Sequence, residues 1–482
     1  MLKVQRFNLI VACLAGLFLV VGCGSAVEET VTGSTAGPSA SEPATGSTTS
    51  TGGETGVFTS IGIDIDAPGY PHSVLVVVNT NPSSGADSEA AGSLPTPVAI
   101  SRVLADGESF SGAPDLKLCG RGNHTDSELP HNYSGAFHQI RPAITVDTTS
   151  STFTTSAGTI LANKVYGTST SNTLIFVEDG EEGADDWIAV GESFDANAYS
   201  NVLNMFGAPP DTDSNGKVVV LYSRFSAQHI AAGFAGYFDS LDLFENQTGS
   251  NGADMVHMNL YKRSSGDPVR WAPDQTLDTL AHELQHLVQY GYRHINHNFS
   301  VMDTWMSEGL AECAAHFGLN QPLTNSISYY KADPNGEFRN GLPLIKWFQT
   351  GADYVLTYMF FQYIRIHSTD GTSIYSEIMQ SEGTDYQSIQ TILVPQNSDF
   401  PTFKTALLNF TVANVLNGDS VYGYGSEKGT FDFGTPPAPT SVSSKSLDSG
   451  GALYIYTSGS TLTAFSPSGQ GSDLSYIRVN KE

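Results

Sequence analysis

The period of the apolar positions changes twice along the chain. From Val57 to about Thr170 the apolar runs are short. "SVLVVVNT" and "TILANKVYG" are continuous or alternating, and Pro, Gly, Asn and Ser clusters separate them, which is the mark of strands. "NTLIFVED" (Asn172–Asp179) and "KVVVLYS" (Lys217–Ser223) read as further strands, the second of them buried. Between them, "DANAYSNVLNMFG" repeats its apolar positions at helical spacing and predicts an amphipathic helix over Asp195–Gly207, closed by the glycine. From Gln275 to about Asn417 the helical period dominates, through "SEGLAECAAHFG", "YVLTYMFFQYIRIH" and "FKTALLNFTVANVL". After Gly418 strand patterns return in "GALYIYTSG" and "LSYIRVN", and no segment repeats another. The layout is α+β, a mixed strand–helix core with β-rich flanks.

The N-terminal stretch follows a different logic. Lys3 and Arg6 precede an apolar run from Leu9 to Val21, too short to span a bilayer comfortably and suited to a signal segment. It ends in Val20-Val21-Gly22-Cys23, which resembles a bacterial lipobox, so residues 1–22 are expected to be a lipoprotein signal and Cys23 the lipidated residue. A plain secretory signal with an incidental Cys23 is the other reading. Residues 23–56 are Ser, Thr, Gly and Pro with a few acids, a composition that cannot bury a core and is expected to be a flexible tether. The expected division is then 57–170 (β-rich), 171–417 (mixed, with the chemistry) and 418–482 (β-rich). The expected location is the bacterial cell envelope, lipid-anchored and facing the periplasm or the exterior.

Composition fits export. Of 482 residues, 40% are hydrophobic but only 15% are charged, against about 25% in an average soluble protein. A net charge of −27 with only 22 Lys plus Arg argues against binding nucleic acid through its phosphates. Beyond Cys23, Cys119 and Cys313 could pair in an oxidising compartment; alternatively, Cys313 is a small core residue of an apolar helix.

The chemistry centres on "LAHELQHLVQYG" (Leu280–Gly291). At about 100° per residue, Leu277, Leu280, Ala281, Leu284, Leu287 and Val288 form one stripe. His282 and His286 point to the opposite side with Glu283 flanking them, one turn apart, the spacing a tetrahedral metal needs from a helix. A pair of surface histidines is the alternative. A catalytic zinc also needs a third protein ligand. A third histidine six residues past His286 is absent, since Gln289 and Tyr292 stand where Gly and His would be needed. Instead, "TWMSEGLAEC" supplies Glu308 and Glu312, one turn apart on a second helix.

"AHELQH" followed by "WMSEGLAE" resembles the gluzincin zinc peptidases and, more narrowly, the hyicolysin-type secreted bacterial peptidases, with "GFAGYFDSLDLF" as softer support. The resemblance covers roughly Asn172 to Asn417. It implies a zinc-peptidase domain with an active-site helix pair and one zinc per chain, held by His282, His286 and Glu308. It implies Glu283 as general base, Glu312 as an outer-shell carboxylate that orients a ligand histidine, and an endopeptidase acting on protein or peptide substrates. The residue before the ligand glutamate, often Asn in the clan, is Ser307 here. Two imidazoles and one carboxylate would leave Zn²⁺ a net positive charge, able to lower the pKa of a bound water toward about 7. Tyr354 and Tyr358 in "GADYVLTYMFF" are candidate oxyanion donors by analogy, or simply core residues. An aminopeptidase of the same clan is a second reading, although its Gly-x-Met-Glu-Asn segment is missing. A non-catalytic zinc-containing surface lipoprotein is a third. "DTDSNGKV" offers Asp211, Asp213 and Asn215 as a partial calcium site, or as a turn into the following strand. His294 and His297 read as loop residues.

Overall fold

The structure is a computed structural model. It describes residues 63–67, 73–83, 89–91, 118–121, 144–183, 185–245, 247–264, 266–431, 445–457 and 473–481. The expected signal segment, Cys23 and the expected tether over 23–56 lie outside the described residues, as does most of 57–143. All described residues fall in one compact unit, Thr55–Glu482. No helix among them is long and apolar enough to cross a membrane.

The strands are β1 (Ile63–Ala67), β2 (Ser73–Asn79), β3 (Glu89–Ala91), β4 (Leu118–Arg121), β5 (Ser150–Thr155), β6 (Gly158–Tyr166), β7 (Thr173–Glu178) and β8 (Val218–Ser223). They continue with β9 (Phe234–Phe238), β10 (Met255–Asn259), β11 (Tyr261–Lys262), β12 (Val269–Arg270), β13 (Lys445–Leu447), β14 (Ala452–Thr457) and β15 (Leu474–Lys481). Seven of them form the central sheet in the order β4-β9-β10-β8-β7-β6-β5. Its middle, β7-β8-β10, is parallel. These strands are continuous apolar runs because both faces are covered. Ile175, Val177, Val220, Tyr222, Val256 and Met258 face the helices, and Leu174, Phe176, Val219, Leu221 and Met255 pack with Phe153 and Ala162 on the other face.

The helices are α1 (Trp187–Ser193), α2 (Ser200–Phe206), α3 (Ala227–Ala232), α4 (Leu277–Tyr290), α5 (Thr304–Leu319), α6 (Thr324–Ala332), α7 (Gly351–His367), α8 (Ser373–Gln380), α9 (Tyr386–Gln396) and α10 (Phe403–Leu416). The α+β class expected from the sequence is the class observed. The helix expected to start at Asp195 starts earlier, at Trp187, and runs through a π-helical turn over Phe194–Tyr199 into α2. Asp195 is no cap. It is buried and accepts from Tyr166 Oη, Asn172 N and Thr173 Oγ1 at 2.8–2.9 Å, tying the helix to β6 and β7. Gly207, at φ 104°, closes α2 as expected. His294 likewise lies not in a loop but in a π-helical continuation of α4 over Gly291–Asn296. Buried Arg293 in that turn donates to the carbonyls of Met379, Ser381, Ser300 and Gly383 and fixes it against the chain after α8.

The two β-rich flanks are not separate bodies. β2 pairs with both β14 and β15, and β15 with β1, in a four-stranded sheet ordered β1-β15-β2-β14. One face buries Leu75, Val77, Leu453, Ile455 and Tyr476 together; the other turns Val74, Val76, Val78, Tyr454 and Tyr456 into the main core. The central sheet also continues across the 170/171 boundary, since β5 and β6 pair onto β7.

Two close approaches set the helix pair. A Cβ on Gly309 of α5 would lie 2.4 Å from Phe361 Cδ2 and 2.6 Å from Thr357 Oγ1, so only glycine lets α7 come this near. Thr357 Oγ1 then donates to Trp305 O at 2.6 Å. A Cβ on Gly318 would lie 3.0 Å from Ala281 Cβ, so α5 also crosses α4 closely.

Candidate active site

α4 buries its apolar stripe, Leu277, Leu280, Ala281, Leu284, Leu287 and Val288, in the main core. The opposite side is not a solvent face, because α5 covers it. His282 is 1% exposed, Glu283 0%, Glu308 2% and Glu312 8%. Surface histidines are thereby ruled out, and four ionisable groups are held together in a largely dry place, which demands compensation.

Two of them, His282 and Glu308, converge with His286, whose side chain is 14% exposed. His282 Nε2 lies 3.2 Å from Glu308 Oε2 and 3.1 Å from His286 Nε2, and His286 Nε2 lies 3.4 Å from Glu308 Oε2. Three ligands on one tetrahedral ion at about 2.0–2.1 Å would be separated by roughly 3.3 Å. The triangle therefore has the size of a metal's ligand shell. The other ring nitrogens fix the protons. His282 Nδ1 lies 3.2 Å from Glu312 Oε1, and His286 Nδ1 lies 3.4 Å from Ser307 Oγ. With protons on both Nδ1 atoms, two lone pairs and a carboxylate face one another, an arrangement that a bound cation satisfies. The donor set fits a zinc-type ion, with nitrogen and oxygen ligands and no third histidine.

The electrostatics separate the two glutamates. Burial pushes against ionisation of Glu308, but the charges and hydrogen bonds of His286 and His282 outweigh it and hold its pKa well below the usual range. Burial raises Glu312, and its contact with His282 offsets this only in part.

Ser307 Oγ reaches His286 Nδ1. Gln289 Nε2 donates to Ser307 Oγ at 2.9 Å, and Gln285 Nε2 donates to Gln289 Oε1 at 3.0 Å. This buried relay was missed from the sequence. Its only signal was two glutamines one turn apart on the polar side of α4.

Glu283 lies on the flank of α4 that faces β9. A Cβ on Gly236 would sit 3.1 Å from Glu283 Cγ and 3.0 Å from Thr279 Cγ2. On the α7 side, a cleft lined by Asp278, Thr279, Glu312, Asn325 and Tyr354 reaches one corner of the cluster, His282.

The two candidate tyrosines part company. The Tyr354 ring lies 6.3 Å from the His282 ring, is steadied edge-on by Trp347, and lines that cleft. Tyr358, one turn further, accepts from Leu323 N at 3.3 Å and lies 3.0 Å from His316 Nδ1. Burial and the nearby Arg365 hold His316 down at about 4, so it is neutral at pH 7. Tyr358 is thus a buried hydroxyl engaged by Leu323 and His316.

Cys313 is a free, buried thiol pushed up to about 12 by burial, with Gln362 Nε2 donating to its sulfur at 3.3 Å.

Asp211, Asp213 and Asp254 lie within reach of one cation, while Asn215 is engaged in hydrogen bonds of its own. Its amide donates to Asp213 Oδ2 and Ile144 O, and its oxygen accepts from Lys217 N. The loop is a self-bonded turn into β8, and no calcium is assigned to it.

No family model matches the chain. It is similar to the neutral metalloprotease ShpI of Staphylococcus hyicus, with 29% identity over 248 residues. That stretch is 50% of this chain and 56% of the relative, so the chain spans about half the length of the curated protein it matches.

Proposed function

We propose that this chain is a zinc-dependent endopeptidase. The observation that carries the reading is the triangle of His282 Nε2, His286 Nε2 and Glu308 Oε2, with sides of 3.1–3.4 Å, beside the buried Glu283 carboxylate. The similarity to a neutral metalloprotease supports the same class.

In this reading His282, His286 and Glu308 hold zinc. When bound, zinc supplies a Lewis acid that activates water and polarises the scissile carbonyl. Glu283 is too far round the helix to be a ligand and serves as base, taking a proton from the attacking water and passing it to the leaving amine. Glu312 and Ser307 accept from the two Nδ1 protons and fix both rings. Tyr354, at the cleft wall, donates to the developing oxyanion. We also propose that Cys23 carries a lipid anchor, followed by a spacer over 24–56, which leaves catalysis independent of attachment.

Cleavage profiling on a library containing N-terminally blocked peptides tests the endopeptidase assignment. Internal cuts in blocked peptides are expected. Activity confined to free N-termini would establish the aminopeptidase reading, and zinc binding with no cleavage of any peptide the non-catalytic one.

A further inference from the structure

β9 is the strand that lies on the Glu283 flank of α4, where a Cβ added to Gly236 would sit 3.1 Å from Glu283 Cγ. One edge of β9 pairs with β10. The other pairs with β4 in parallel register, Cys119 opposite Gly236, Gly120 opposite Tyr237 and Arg121 opposite Phe238. β4 ends the seven-stranded sheet and comes from far upstream in the chain. A peptide cut with the help of Glu283 must lie extended beside it. Adding a strand to a sheet edge holds an extended peptide through its backbone, whatever its side chains. The outer edge of β9 offers such backbone groups next to Glu283, and residues 118–121 fill it.

We propose that β4 is an internal stand-in for substrate: residues 118–121 occupy the strand-addition site for an extended peptide on β9, and a peptide binds there only when they leave. The inference rests on the peptidase reading. The ladder is short, four residues with a register shift between Leu118 and Cys119, so it is weakly held compared with the core strands. Being tethered, the segment competes at an effective concentration on the order of millimolar. Weak peptides are therefore excluded, and the apparent affinity of stronger ones falls by the fraction of molecules with the edge free.

The test replaces Cys119 and Gly120 together by proline, which removes the backbone donor whichever of the two faces β9. Both proteins carry Glu283→Gln and bound zinc, so binding is read without turnover. The probe is a synthetic peptide of residues 114–125 with serine in place of its cysteine. It is expected to bind the double-proline protein at least about tenfold more tightly than its parent. Hydrogen exchange over Phe234–Phe238 should be faster in that protein and slow again when the peptide is added. Equal peptide affinity in both proteins, with exchange showing the β9 edge released, would overturn the proposal. If the double-proline protein does not fold, the unsubstituted one is used. The peptide at millimolar concentration should then speed exchange over Leu118–Arg121, and no change there would equally overturn it. Failure of the peptidase reading would show separately, as absence of zinc-dependent cleavage by the protein with Glu283 intact.

Discussion

Glu308 and Glu312 lie one turn apart on the same face of α5, are both buried, and both reach His282, yet the geometry gives them opposite sensitivities to substitution. Glu308 Oε2 sits 3.2 and 3.4 Å from the two Nε2 atoms, whereas Glu312 Oε1 sits 3.2 Å from His282 Nδ1, on the far side of the ring. Structural zinc sites bind with about 10–16 kcal/mol shared among four ligands, or roughly 2.5–4 kcal/mol each, the upper end being about a thousandfold in affinity. Glu308→Ala should therefore weaken zinc on the order of a thousandfold and purify largely metal-free. An outer acceptor is worth about 10–100-fold, so Glu312→Ala should keep zinc at micromolar metal and retain some turnover. Glutamine sharpens the contrast. At 312 its amide oxygen can still accept from Nδ1 and should restore most of the affinity; at 308 it removes the ligand charge and should not. Zinc titration against a competing chelator, with metal analysis of each purified variant, gives all four numbers. A metal-free Glu312→Ala beside a zinc-loaded Glu308→Ala would refute the assignment, as would equal losses in both.

Other outcomes follow from groups around the centre. Tyr354→Phe should lower kcat by about 10²–10³ with little change in KM, whereas Tyr358→Phe should leave kcat nearly intact and cost roughly 1 kcal/mol of stability; steady-state kinetics and thermal melts of both decide it, and the reverse pattern would exchange their roles. Burial, and then the charge of Asp254, push Asp213 up to about 7. A carboxyl raised in the folded state favours folding below its unfolded pKa, and that contribution is lost as pH rises through the folded value. The Asp213→Asn protein should therefore gain melting temperature relative to its parent from pH 5 to pH 8. A flat gap contradicts the assignment of burial, and a variant that becomes worse at pH 8 would indicate a cation held by Asp211, Asp213 and Asp254.

The parts of this molecule that the sequence disclosed are those with a local period. His282, Glu283 and His286 declare themselves by spacing within one helix turn, and the parallel core strands β7 and β8 by unbroken apolar runs. Contacts closed over long distances carry no such period. Nothing in "SVLVVVNT" says that β2 will pair with β14 and β15 at the other end of the chain, or that residues 118–121 will lie on β9. Tyr354 and Tyr358 share one helix and one local pattern. They differ only because His316, on a different helix, meets the second. Asp195 stands at the start of the stretch with helical spacing, but tertiary bonds to Tyr166 and Thr173 hold it in the interior of a longer helix. The relay from Gln285 through Gln289 to Ser307 bridges two helices, so the pairing of residues 289 and 307 appears only when they dock.

The central claim is that zinc held by this triangle and a proton moved by Glu283 together cut peptide bonds. Glu283→Gln, stripped of metal by chelator and reloaded with one equivalent of zinc, tests both halves at once against its parent treated identically. The parent should regain hydrolysis of an internally quenched peptide on reloading. The variant should bind about one zinc per chain with near-parental affinity, because residue 283 is not a ligand, and remain at least about 10²–10⁴-fold slower. Near-parental hydrolysis by the zinc-loaded variant would contradict the account.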